Sequence, residues 1–152
     1  MKPRTITIRR AHEGDLGRLN EIIQSSSDYA GEYRAMLDGY AVTSVYLERN
    51  PVFVAEAGKE LVGFYALLLD STPELDLMFV ADEAQGQGIG ATLFEHMAAT
   101  AGQSGAAAVR IVSHPPSANF YERMGAERIG TKQPQGRVAW SRPILELRLS
   151  TS

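Results

Sequence analysis

Apolar and polar residues alternate from Thr5 to Arg9, with Ile6 and Ile8 on one face, which predicts a half-buried strand. The period then lengthens. Leu16, Leu19, Ile22 and Ile23 recur at helical spacing, and Asp15 stands where it can cap that helix. "SSSDYAGEY" reads as a polar loop, and Tyr33 to Arg49 carries a weaker helical pattern (Met36, Leu37, Tyr40, Val45, Tyr46) that suits two short pieces. "VFVAEAGKELVGFYALLL" is two strands around a turn at Gly58, and "STPELDLMFV" starts a third after the Ser71-Thr72-Pro73 break. Ile89, Leu93, Phe94 and Met97 mark a helix from Ile89 to Ala101, ended by Gly102 and Gly105. "AAAVRIVS" is another strand. Pro115 and Pro116 suit the first turn of a helix that stops before Gly125, and strands fit "AERIGT" and "PILELRLS". The order is β-α-α-β-β-β-α-β-α-β-β, an α/β arrangement of a mixed sheet with helices on its faces, read as a single domain over residues 1–152.

Composition narrows the partners. The 152 residues are 44% hydrophobic, enough for one sizeable core. A formal net charge of -3 gives neither a nucleic-acid-binding surface nor a polybasic membrane patch. Cysteine is absent, which removes disulfides, thiolate metal sites and a cysteine nucleophile. "MKPRTITIRRAHEGD" lacks the apolar core of a signal peptide. The longest apolar run, Leu61 to Leu69, is shorter than the roughly 20 residues a spanning helix needs. A soluble, cytoplasmic protein without nucleic-acid or membrane partners is expected.

One stretch departs from ordinary patterning. In "FVADEAQGQGIG", Phe79 to Gly90, Gly86, Gly88 and Gly90 alternate between a strand and a helix start. Free amides at a helix N-terminus, with no side chains in the way, make an anion site. The alternative is a loop with close helix packing. Two nucleotide motifs fail: Gly90-Ala91-Thr92 lacks the lysine of a phosphate-binding P-loop, and the spacing is not that of a dinucleotide fingerprint.

"QGQGIG" matches Arg/Gln-x-x-Gly-x-Gly/Ala, with Gln85, Gly88 and Gly90 in the fixed positions, and so resembles the pyrophosphate loop of the GNAT superfamily of acyl-CoA-dependent N-acyltransferases. "ANFYERMGA", Ala118 to Ala126, resembles that family's second signature, and "ITIRRAHEGDLGRLNEI" its first strand and helix. The resemblance implies the GNAT fold, a mostly antiparallel sheet of about seven strands with about four helices, splayed between the fourth and fifth strands. It implies acetyl-CoA as cosubstrate, with no metal. The pyrophosphate would sit on the loop Gln85, Gly86, Gln87, Gly88, Ile89, Gly90 and Ala91. The pantetheine arm would lie along Met78, Phe79 and Val80, with Ser117 and Tyr121 across the splay. Resembling proteins are frequently dimers, so a homodimer fits.

The implied chemistry is transfer of an acetyl group to a primary amine by direct attack in a ternary complex. Glu74 and Asp76 are two residues apart on a strand and share a face. Glu74 falls where some family members keep a general base; Asp76, or a water, is the alternative, and a solvated strand start is the bland reading. Tyr121 matches the tyrosine beside the thioester sulfur that can protonate the leaving thiolate. His114 stands where many members carry an asparagine that bonds the pantetheine, and is either a substitute donor or a helix N-terminal residue before Pro115. His12 and His96 are expected to face solvent, and no histidine pair has metal-ligand spacing. Tyr29, Tyr33, Tyr40 and Tyr46, with Asp28, Glu32, Asp38 and Glu48 and only Arg34 in opposition, would suit a cationic acceptor, or else form an amphipathic core with a charged outer face. Trp140 either lids that pocket or belongs to the core. The rival function is a sensor or scaffold of the same fold that binds acyl-CoA without turnover.

Overall fold

The structure, a computed structural model, describes residues 5–136 and 138–149. Seven strands form one sheet: β1 (Ile6–Arg10), β2 (Val52–Ala57), β3 (Glu60–Leu68), β4 (Glu74–Val80), β5 (Ala108–Val112), β6 (Glu127–Lys132) and β7 (Arg142–Arg148). Their order across the sheet is β1-β2-β3-β4-β5-β7-β6. The helices are α1 (Leu16–Ser25), α2 (Ser44–Arg49), α3 (Ile89–Gln103) and α4 (Ala118–Arg123). The β-α-α-β-β-β-α-β-α-β-β order read from periodicity is the one found. No helix among the described residues is long and apolar enough to cross a membrane.

Connection length explains the topology. The tight turn at Gly58, with φ +64°, folds β2 back on β3 as an antiparallel hairpin. Between β4 and β5 lies the whole of α3, the long crossover that a parallel neighbour requires. Their pairing is confined to Glu74 opposite Arg110, near the start of β4. Beyond that point the strands part, leaving a splay between Val80 and Ser113.

A bulge adjusts β4 just there. Ala66 pairs with Leu77 while the next residue, Leu67, pairs with Leu75, so Asp76 is the extra residue. The strict alternation assumed for Glu74 and Asp76 is therefore interrupted. Asp76 meets the hydroxyl of Tyr46 directly, which places it on the tyrosine side of the sheet.

The core forms on both faces of β3. Leu19, Ile22 and Ile23 of α1 are fully buried, as their spacing predicts, and so are Leu93 and Met97 of α3. Truncating any of the leucines to alanine costs about 2–5 kcal/mol. Gly63 lets α3 approach: an added Cβ would sit 2.9 Å from the Phe79 carbonyl and 3.1 Å from Leu93.

Two local expectations change. Asp15 makes no side-chain cap to α1. Its carboxylate accepts from the His12 amide and both terminal nitrogens of Arg9, each at 2.9 Å, because a guanidinium binds a carboxylate more strongly than a lone amide does. The helix expected to end at Ala101 runs on to Gln103, with Gly102 inside its last turn and Gly105, at φ +88°, just beyond it.

Candidate active site

A cleft of about 330 Å³ opens where the splay meets the N-terminus of α3. It is lined by Met78 and Val80 on β4, Gln85, Gly88, Gly90 and Ala91 on the loop and helix start, and Ser117, Phe120 and Tyr121 on the far side. Eight of the residues expected to hold the cosubstrate or do chemistry therefore meet in one place.

The loop's glycines serve different ends. Gly86 and Gly88 adopt φ +79° and +77°, the left-handed region that L side chains avoid. Gly88 is the N-cap of α3, and no side chain caps that helix. The first-turn amides have no partners within the helix, so they aim at the cleft with the positive end of the helix dipole. Gly90 is small for a packing reason: a Cβ there would lie 3.3 Å from the Phe120 ring.

Several expected residues are used otherwise or lie elsewhere. Gln85 lines the cleft, but its amide nitrogen donates to the Val80 carbonyl at 3.0 Å and braces the loop. Ile89 is buried against Gly63, so only its backbone is available. Phe79 turns its ring away to stack between Phe64 and Tyr29, at 5.6 and 5.4 Å. Gly86 and Gln87 are exposed in the turn and do not line the cleft. Conversely, Arg123 lines it without having been singled out, and Asp28 and Pro116, expected in the acceptor wall and in a helix's first turn, line it too. Arg123, in the last turn of α4, adds a cation, a signal present in "YERMG" beside the matched tyrosine.

Tyr121 is buried, and burial pushes its phenol above the ordinary value of 10.0. It therefore keeps its proton across neutral pH. Across β4, Asp76 accepts a hydrogen bond from the Tyr46 hydroxyl at 2.5 Å. Burial and Asp76 raise Tyr46 as well, and raise Tyr40 to about 12.

His114 neither faces solvent nor stays a simple helix-start residue. It precedes the Pro115–Ser117 turn, but its ring stacks on Tyr29 at 4.0 Å, and its Nε2 donates to the Asp28 carbonyl at 3.1 Å. Burial lowers its pKa, against an opposing pull from Asp28. On the other side, the Asp82 carboxylate accepts from the Ser27 amide and hydroxyl. The 3-10 segment after α1 is thus tied to the ends of both strands of the splay. Tyr33 continues the aromatic row, edge-on to His114 at 5.9 Å and to Trp140 at 4.8 Å.

His12 is exposed as expected; His96 is not. It is half-buried, hydrogen-bonded to the Tyr65 hydroxyl at 2.7 Å and tilted against Phe53 at 4.8 Å.

Comparison with solved structures gives the same fold at low identity. A GCN5-related N-acetyltransferase from Rhodopseudomonas palustris superposes with a TM-score of 0.81 at 18% identity, covering 98% of this chain and 99% of its own. The PaiA N-acetyltransferase of Thermoplasma acidophilum, solved with coenzyme A, gives 0.77 at 21% identity, with 95% and 99% covered. The ribosomal-protein-S18-alanine N-acetyltransferase of Escherichia coli gives 0.74 at 19%, with 97% and 96% covered. A search of curated proteins returned no match. Residues 28–141, which contain both the glycine loop and Tyr121, match the family described as Acetyltransferase (GNAT) domain. The chain belongs to the GNAT family and is an acetyltransferase enzyme.

Proposed function

We propose that this enzyme transfers the acetyl group of acetyl-CoA to a primary amine by direct attack within a ternary complex. The observation that carries the reading is the single cleft joining an uncapped helix N-terminus to the parted edge of β4 and to Tyr121. These residues fit coenzyme A. The α3 amides and Arg123 suit the diphosphate, and Met78 to Val80 offer an unpaired strand edge to an extended, amide-containing arm. The thioester supplies the activated acyl group.

The chain's own residues supply the proton chemistry. An alkylammonium with pKa about 10.4 is neutral only to the order of one part in a thousand at pH 7, so a proton acceptor helps. Asp76 is best placed, at the bulge and in the tyrosine cluster, with Glu74 beside it and a water as intermediary. Tyr46 orients that carboxylate through its hydroxyl. Tyr121, held protonated by burial, donates to the departing thiolate.

The test is CoA release from acetyl-CoA with a panel of amines, paired with calorimetric titration of acetyl-CoA. Micromolar binding with release that depends on an amine supports the proposal. Binding without release for any amine would make the protein an acyl-CoA binder and overturn it.

A further inference from the structure

Asp28 is the one acidic residue among those lining the cleft; neither Glu74 nor Asp76 reaches its wall. Asp28 is exposed, and no donor among the described residues meets its carboxylate. The carboxylates around it are engaged: Asp76 accepts from Tyr46, and Asp82 from Ser27. After burial, the Asp28 charge is the largest influence on the Tyr29 phenol, ahead of Arg142, which opposes it, and of Asp76 and Tyr40. The same charge adds to burial and Tyr29 in raising Tyr121, so the carboxylate acts on both walls of the cleft.

Three ties fix the backbone that carries this carboxylate. The 3-10 turn Ser27–Tyr29 holds no buried residue, so core packing does not place it. On the β4 side the Ser27 amide and hydroxyl donate to Asp82 at 3.1–3.2 Å. On the β5 side His114 Nε2 donates to the Asp28 carbonyl at 3.1 Å, and the His114 ring lies flat on Tyr29 at 4.0 Å. His114 thus spends its donor on the main chain of Asp28 itself, and the side chain of that residue is left to the cleft.

We infer that Asp28 binds the ammonium of the arriving acceptor in the cleft, and that His114 is the positioning residue that holds Asp28 there. This rests on the acetyl-transfer reading. At neutral pH an alkylamine arrives almost wholly as the cation, and a cation entering a half-enclosed cleft needs a counter-charge. Asp28 supplies it, and the proton leaves for Asp76 only when the nitrogen attacks. The substrate class follows from the same charges. A carboxylate on the carbon next to the amine would be repelled by Asp28, while Arg123 and the α3 start are taken by the diphosphate. The acceptor is therefore an amine whose carboxylate is absent, amidated or distant.

The experiment measures CoA release with simple alkylamines, L-amino-acid carboxamides and the matching free L-amino acids, using wild type, Asp28→Asn, His114→Phe and the double variant. Wild type should turn over a carboxamide better than its free acid. Asp28→Asn should raise the amine KM by roughly 10- to 100-fold, the span of a charged hydrogen bond, and change kcat little. Its acetyl-CoA affinity should match or exceed that of wild type, and its Tm should be unchanged, because the carboxylate holds nothing in the fold; a structural role would lower both. His114→Phe keeps the ring stack and removes the donor, so it should raise the amine KM by roughly 2- to 10-fold. In the double variant the KM should be no higher than in Asp28→Asn alone, because His114 acts through Asp28. Additive effects would overturn the positioning role. If His114→Phe does not fold, Asp28→Asn against Asp28→Glu, which should regain part of the lost affinity for amine, decides the binding role. An unchanged KM in Asp28→Asn, or free acids preferred over carboxamides by wild type, would overturn the inference and leave acetyl transfer standing. No turnover of any amine by wild type, despite acetyl-CoA binding, would overturn both.

Discussion

The two sides of the splay are built by different means. The side proposed for the phosphate is made of backbone: Gly86 and Gly88 in left-handed conformations, an uncapped α3, and a β4 edge with one pairing to β5. The side proposed for the acceptor is made of side chains from distant segments. Tyr29 and Tyr33 follow α1, Tyr46 lies on α2, Asp76 on β4, His114 after β5, and Trp140 and Arg142 beside β7. A backbone site needs particular conformations from a few consecutive residues and tolerates little else. A side-chain site can change residue by residue while the fold persists. Cosubstrate binding should therefore depend on the first region alone, and acceptor choice on the second.

The largest break in that comparison is Gly88→Asp. A left-handed non-glycine residue costs roughly 1–2 kcal/mol, and the new carboxylate would repel a diphosphate at the helix start. No protein atom lies within 4 Å of the added Cβ, so the fold should survive. Calorimetry should show acetyl-CoA affinity reduced by more than about 100-fold. Gly88→Ala carries the conformational cost without the charge, so it should lower Tm and keep most of the affinity.

Asp76→Asn should do the converse. We expect kcat to fall about 100-fold with acetyl-CoA affinity unchanged, and activity to recover at higher pH as the amine ionises unaided. If Glu74→Gln produces that profile and Asp76→Asn does not, the proton goes to Glu74. Tyr121→Phe keeps the packing and removes the donor. Turnover should fall roughly 10- to 100-fold, again without loss of acetyl-CoA affinity. Steady-state kinetics at several pH values separates these outcomes.

Much of the backbone side was legible because its causes are local. Alternation located the strands, helical spacing located Leu19, Ile22 and Ile23, and Gly58 marked the hairpin. The glycine spacing marked the loop. The acceptor side was less so, since its contacts join residues far apart in sequence. Nothing around His114 announces that its ring will bind the Asp28 carbonyl, 86 positions earlier. His96 looked exposed because its partner, Tyr65, lies 31 positions away on β3. The bulge at Asp76 appears only in the register of β3 against β4. The polar "SSSDYAGEY" forms short 3-10 turns held by Asp82 and His114, a tertiary effect that local propensity does not encode.

The smallest effect sharpens the boundary between the regions. Burial holds the His114 pKa below its ordinary 6.5. The unfolded chain then binds this proton first, so stability should be full above about pH 6.5 and decline as pH falls toward the folded-state value. His96 is lowered by burial too and adds to the same decline. His114→Phe retains a ring against Tyr29 and removes one titrating group. Its Tm should fall less than that of wild type between pH 6.5 and 5, by about 2–4 °C per kcal/mol of linkage removed. Thermal denaturation across that range reads it directly; equal slopes would mean that His114 is not buried in solution.

The central claim is that one cleft holds coenzyme A by backbone at α3 and delivers its sulfur to side chains at the splay. A crystal structure of the enzyme with coenzyme A tests this most directly. We predict diphosphate oxygens about 3 Å from the amides of the Gly88–Ala91 turn, the pantetheine arm along Met78 to Val80, and the sulfur between Tyr121 and Asp76. A diphosphate bound away from α3, or a thiol that does not enter between β4 and β5, would contradict it.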